Sequence, residues 1–117
     1  METATPEKQR IRQRYDVNLK AEVSQKNQEH QCRLTNLSAS GACLHFKSKV
    51  AAKDGMSISM KIFIPATIMH IPNSGEIMWV KQQNTETSIG VKFQDILSEI
   101  MMQQLIKGGT PASPYKP

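Results

Sequence analysis

Five residues combine types and spacings that could capture a ligand carrying both guanine bases and phosphates. Arg10 and Arg14 form an Arg-x-x-x-Arg pair in a basic N-terminal stretch, and Asn36, Ser38 and Gly41 follow in the pattern Asn-x-Ser-x-x-Gly. A guanidinium is a planar, permanently charged fork. It donates paired hydrogen bonds to the O6 and N7 edge of guanine, binds phosphate oxygens, or stacks on a base. Asn and Ser both donate and accept hydrogen bonds through short side chains, and Gly permits close backbone approach or a positive φ. The arginines supply charge and the turn supplies shape. Taken alone, Asn-x-Ser-x-x-Gly also suits an ordinary tight turn, because Asn and Ser bond to nearby backbone. The arginine pair is what shifts the reading toward a clamp. Arg12, in the same arm, is an additional candidate contact.

The surrounding pattern says what must hold these residues. Residues 1–14 show neither apolar alternation nor a helical stripe and read as a flexible basic arm. From Tyr15 the pattern changes. Val17, Leu19, Ala21 and Val23 recur at period two, the mark of a half-buried strand. A polar turn at Gln25 to Gln28 leads into a second strand with Cys32 and Leu34 on one face. The Asn36 to Gly41 turn separates it from a third strand in which Ala42, Leu44 and Phe46 alternate inward. Ile58, Met60, Ile62 and Ile64 define another strand. Pro72 to Gly75 is expected to form a turn, and strands are expected at Ile77 to Lys81, with Trp79 as a core residue, and at Ser88 to Phe93. Asp95 is the expected N-cap of one helix, whose stripe Ile96, Leu97, Ile100, Met101, Leu105 and Ile106 would close the barrel's open end. A sharper alternative gives Met101, Met102 and Leu105 to a partner surface.

The fold class expected is therefore all-β with one C-terminal α-helix. It is a small antiparallel barrel of about six strands over residues 15–107, preceded by the arm and followed by a disordered tail at 108–117.

Composition bounds the function. At 117 residues and 38% hydrophobic, the chain can bury one modest core. A net charge of +5 favours an anionic partner without naming it. Cys32 and Cys43 lack the spacing of a redox or zinc motif, and His30, His45 and His70 share no ligand spacing, so no metal is expected. No nucleophile–base pair or catalytic carboxylate pair is recognisable, so the chain is read as a non-enzyme. With no apolar run of membrane-spanning length and no secretory signal, the expected location is the cytoplasm.

Arg10 and Arg14, then Asn36, Ser38 and Gly41, then Gly75-Glu76-Ile77-Met78-Trp79-Val80, then Ile89-Gly90-Val91-Lys92-Phe93: this succession resembles the PilZ domain, the bacterial receptor module for cyclic di-GMP. The resemblance runs from about Arg10 to Phe93. It implies a barrel that orders its arm over bound cyclic di-GMP through Arg10, Arg14, Asn36, Ser38 and Gly41, signals to a separate downstream protein, and is monomeric or dimerises with ligand. Two rival readings fit the sequence less well. An adaptor acting by protein contacts alone would have degraded motifs, and a barrel binding single-stranded DNA or RNA would need more exposed aromatics than one Trp, two Tyr and three Phe provide.

Overall fold

The computed structural model describes residues 13–106 and the backbone of 110–111. Seven strands and one helix follow one another as β1 (Tyr15–Gln25), β2 (Gln28–Ser38), β3 (Gly41–Phe46), β4 (Ser57–Phe63), β5 (His70–Gln83), β6 (Glu86–Phe93), α1 (Glu99–Ile106) and β7 (Thr110–Pro111). The sheet runs β2-β3-β6-β5-β4-β1-β7, and β1 also pairs with β2, so six antiparallel strands close into a barrel. It consists of two meanders, β1 to β3 and β4 to β6, joined along β3–β6 and β1–β4. Closure leaves no unpaired edge among the six. Within the stretch expected to be a disordered tail, Thr110 and Pro111 pair with Asp16 and Tyr15.

Period-two alternation selects the barrel's contents. Leu19, Ala21, Val23, Leu34, Leu44 and Phe46 are all buried and share one core with Ile58, Met60 and Ile62, Ala21 and Val23 standing directly beside Ile62 and Met60 across β1–β4. The β1–β2 hairpin turns through Lys26 and Asn27, at φ 50 and 66, the left-handed backbone that a two-residue turn between twisted strands requires.

A register shift in β1 between Asp16 and Leu19 leaves the alternation intact, but two bulges interrupt it. In β2 the register slips between Leu34 and Asn36, and in β5 between Ile77 and Trp79. One extra residue reverses which side chains face inward. Leu37 therefore enters the core, while Asn36 and Ser38 move to the outer surface. Trp79 moves out likewise and is 43% exposed. It is thus not the core residue that unbroken alternation suggested.

Three further expectations need correction. Pro72 to Gly75 do not turn but lie within β5. There the buried Asn73 acts as a clasp: its Oδ1 accepts from Ser74 N at 2.8 Å and Asp95 N at 3.3 Å, and its Nδ2 donates to Asp95 O at 2.9 Å. Asp95 is engaged by this clasp and does not cap the helix. Ser98 does, its Oγ accepting from Met101 N at 3.2 Å. Leu97 and Met102 flank that cap as a buried apolar pair, in the positions of a hydrophobic staple. The helix presents Met102 and Leu105 to the core and Leu97 joins them from the segment before it, whereas Ile96, Ile100 and Met101 are exposed. The expected stripe was too wide, and Met102 and Leu105 are not available to a partner.

Candidate functional site

The polar turn sits where β2 meets β3, and the base of the N-terminal arm lies against it. Arg14 Nε donates to Asn36 Oδ1 at 3.1 Å, and Asn36 Nδ2 donates to Asp16 Oδ1 at 3.3 Å. The two motifs, separated by 22 residues in sequence, are therefore in direct contact. This bond uses one of the five N–H donors of the guanidinium, and four remain for other acceptors. Ser38 Oγ accepts from Ser40 N at 3.3 Å and lies 3.4 Å from both Ser40 Oγ and Gly41 O. These are long contacts that hold the turn loosely. Arg10 and Arg12 lie outside the described residues.

Cross-strand register shows what the turn looks onto. Asp16, Asn36, Cys43, Gly90 and Trp79 stand opposite one another in succession across β1, β2, β3, β6 and β5. A neighbouring row runs Ser38, Gly41, Lys92, Glu76, and the row on the other side runs Arg33, His45, Ser88, Lys81. The floor of this outer face is made of small residues, Gly41, Cys43, Ser38 and Ser88, while Gly90 is buried beneath Trp79. Cations at Arg14, Arg33, Lys81 and Lys92 and carboxylates at Asp16, Glu76 and Glu86 stand around the floor. The Trp79 indole covers Gly90 and bounds the face on one side. The arrangement is a shallow bed for a flat, anionic ligand.

Two glycines of this face are required by geometry. A Cβ on Gly41 would lie 2.5 Å from Val91 O, and a Cβ on Gly90 would lie 2.1 Å from Trp79 Nε1 and 2.4 Å from its Cε2. Gly41 thus lets β3 and β6 approach, and Gly90 lets the indole lie flat over β6. His45 accompanies them, its Nδ1 3.1 Å from Ser88 Oγ and its Nε2 3.3 Å from Glu86 Oε1.

Electrostatics tie Cys43 to the same place. Burial raises its thiol above the ordinary range, while the charge of Arg14 pulls it back down. Cys32 is a core residue, and burial, with a smaller contribution from Glu22, pushes its thiol up to about 12. Among the described residues no three His, Cys, Asp or Glu side chains are grouped to hold a metal, and no helix is long and apolar enough to cross a membrane. Sequence reasoning read Asn36 to Gly41 as one turn and Trp79 as core; in the structure only Ala39 and Ser40 form the turn, with Asn36 and Ser38 at the end of β2 and Gly41 at the start of β3. The signal that could have found Trp79 is Val80: an apolar residue directly after it allows the inward face to resume one position later.

Comparison with known proteins bears on this face. A family model described as PilZ domain matches residues 8–108. Among solved structures, the Bacillus subtilis inhibitor of motility MotI/DgrA is similar at 15% identity and a TM-score of 0.65, over 83% of this chain and 48% of that one. The chain thus spans about half the length of that protein. The PilZ domain of Escherichia coli YcgR, whose structure contains c-di-GMP, is similar at 15% identity and a TM-score of 0.63, over 79% of this chain and 82% of that one. YcgR in complex with c-di-GMP is matched at 14% identity and a TM-score of 0.60, over 80% of this chain and 41% of that one. At such identities these likenesses speak to the fold. No curated protein matches the chain.

Proposed function

This chain belongs to the PilZ domain family, and we propose that it is a cytoplasmic receptor for cyclic di-GMP, a binding module and not an enzyme. The observation that carries the reading is the 3.1 Å contact between Arg14 and Asn36. It joins the double-arginine arm to the polar turn at the edge of the small-residue face. In this reading Arg10 and Arg14, with Arg12 as an additional contact, take the phosphates and the guanine acceptor edges. Asn36 and Ser38 exchange their internal contacts for ligand contacts, Gly41 keeps the floor low, and Trp79 offers a stacking surface.

Ordering backbone costs about 1–2 kcal/mol per residue, and a good bidentate arginine–guanine pair returns about 1–3 kcal/mol. Several contacts must therefore act together. Residues 1–14 fold over the bound nucleotide, and the altered surface is read by a separate downstream protein.

Calorimetry of the full chain with cyclic di-GMP, cyclic di-AMP and GTP tests this. Cyclic di-GMP is expected to bind most tightly, with Arg10→Ala, Arg14→Ala and Asn36→Ala each losing at least about tenfold in affinity. Absence of cyclic di-GMP binding, or parental affinity in all three variants, refutes the reading.

A further inference from the structure

The segment after β6 differs in charge from the rest of the protein. From Gln94 to Ile106 there is no Lys, Arg or His, although the chain carries a net charge of +5. Within this segment Ile96 is 59% exposed, Ile100 71% and Met101 39%, and the carboxylates of Asp95 and Glu99 are exposed beside them. Three large apolar side chains at the surface within six residues form more than the isolated exposures common on protein surfaces.

The same segment is bonded to the polar turn. Leu97 N donates to Ala39 O at 2.9 Å, and Phe93 N donates to Ser40 O at 2.8 Å. Ala39 and Ser40 lie between Ser38 and Gly41, so any contact that repositions the turn also repositions the two amides that lead into α1. The opposite face of the segment is anchored by the buried Leu97, Met102 and Leu105. A shift of the turn therefore moves an anchored unit and not a loose loop.

We infer that Ile96, Ile100 and Met101 form a docking surface for a basic amphipathic segment of another protein, coupled to the nucleotide face through the Ala39–Leu97 and Ser40–Phe93 hydrogen bonds. The coupling rests on the receptor function proposed above; the surface itself does not. Charge selects the occupant. Apolar side chains fill the patch, and Lys or Arg around them meet Asp95 and Glu99. A second copy docking the same patch about a two-fold axis would bring Asp95 and Glu99 toward their own counterparts, and like charges oppose that pairing.

The test uses the full chain and two fluorescein-labelled helical peptides of the same pattern, one of Leu and Lys and one of Leu and Glu. Anisotropy is measured with and without saturating cyclic di-GMP, with a nucleotide–peptide titration as control. The Leu/Lys peptide is expected to bind in preference to the Leu/Glu peptide, and to bind about fivefold or more tightly with nucleotide present. The Ile96→Ser, Ile100→Ser double variant is expected to lose at least about tenfold for the peptide while keeping its nucleotide affinity.

Equal binding of the two peptides, or undiminished binding by the double variant, overturns the docking surface. Self-association that this variant abolishes also overturns it, in favour of a second copy as occupant. Unchanged peptide affinity on a chain shown to be saturated with nucleotide overturns the coupling. If cyclic di-GMP itself does not bind, the receptor reading falls, and the surface is judged on the nucleotide-free arms alone.

Discussion

Replacing Gly90 with Ala tests whether the small-residue face and the Trp79 indole that bounds it are one unit. The new methyl would lie 2.1 Å from Trp79 Nε1, 2.4 Å from Cε2 and 2.7 Å from Cδ1. All three atoms belong to the indole, so the ring must lift by more than an ångström or swing into solvent. Trp79 is 43% exposed, so a little over half of its surface is at stake. With about 250 Å² for a tryptophan side chain and about 25 cal/mol per Å², complete loss of that cover would cost about 3.5 kcal/mol. Partial relaxation brings the expected destabilisation to about 1–3 kcal/mol. The chain has one Trp, so its emission reports on this position directly. Urea unfolding followed by far-ultraviolet circular dichroism should show the lower midpoint, and the folded-state emission should shift to longer wavelength. The Gly90→Ala, Trp79→Ala double variant should recover part of the stability lost by Gly90→Ala relative to Trp79→Ala alone. An unchanged midpoint together with an unchanged emission maximum in Gly90→Ala refutes the stacking geometry.

The two cysteines should separate by reactivity: at pH 8 a thiol reagent is expected to modify Cys43 well before Cys32, and cyclic di-GMP should protect Cys43 if it lies on the bed. For stability the sign is set by Cys32, whose thiol is held up at about 12 in the folded protein and titrates near 8.5 when unfolded. Between those values the unfolded chain releases a proton that the folded one keeps, so this contribution to stability is full below about pH 8.5 and is lost as pH rises, by up to about 1.4 kcal/mol per pH unit. Cys32→Ala should flatten that part of the profile, and an identical alkaline slope in parent and variant would refute the assignment. Asn73→Ala removes a side chain that serves Ser74 N, Asp95 N and Asp95 O. It is expected to cost about 1–3 kcal/mol in denaturant unfolding and to raise hydrogen exchange at the start of α1, with parental exchange there counting against the clasp.

Most of the barrel was readable because its inner face repeats at period two, and Ala42, Leu44 and Phe46 or Ile58, Met60 and Ile62 cannot alternate otherwise and remain buried. Misreadings cluster where one residue breaks that count. Continuing from Ile77, the period puts Trp79 inside; the bulge puts it outside, and a bulge costs the sequence one position with no obligatory residue type. The reversal between β2 and β3 was legible in Asn36, Ser38 and Gly41, although only Ala39 and Ser40 lie outside the two strands. The contact of Asn36 with Arg14 was legible only as complementarity, since pairing across 22 residues depends on the β1–β2 register. Asn73 misled for a different reason: next to Pro72, Ser74 and Gly75 it has the composition of a turn, yet its amide serves as the buried partner of a distant backbone. The division of the C-terminal stripe into buried Leu97, Met102 and Leu105 and exposed Ile96, Ile100 and Met101 depended on Ser98 starting the helix later than Asp95 would have.

The construction from two meanders has a kinetic consequence. Pairings within β1 to β3 and within β4 to β6 join strands consecutive in the chain and can form early, whereas β3–β6 and β1–β4 must wait until the halves meet. The row from Asn36 through Cys43 and Gly90 to Trp79 crosses β3–β6, so half of the bed belongs to each meander. A molecule lying across it acts as a rivet, formed after the halves have docked and broken before they part. Its effect belongs to the rate of unfolding and not to the rate of folding. A chain cut between Lys47 and Met56 is expected to give two fragments, and a molecule bound across β3–β6 is expected to favour their reassembly, measured by its effect on fragment complementation.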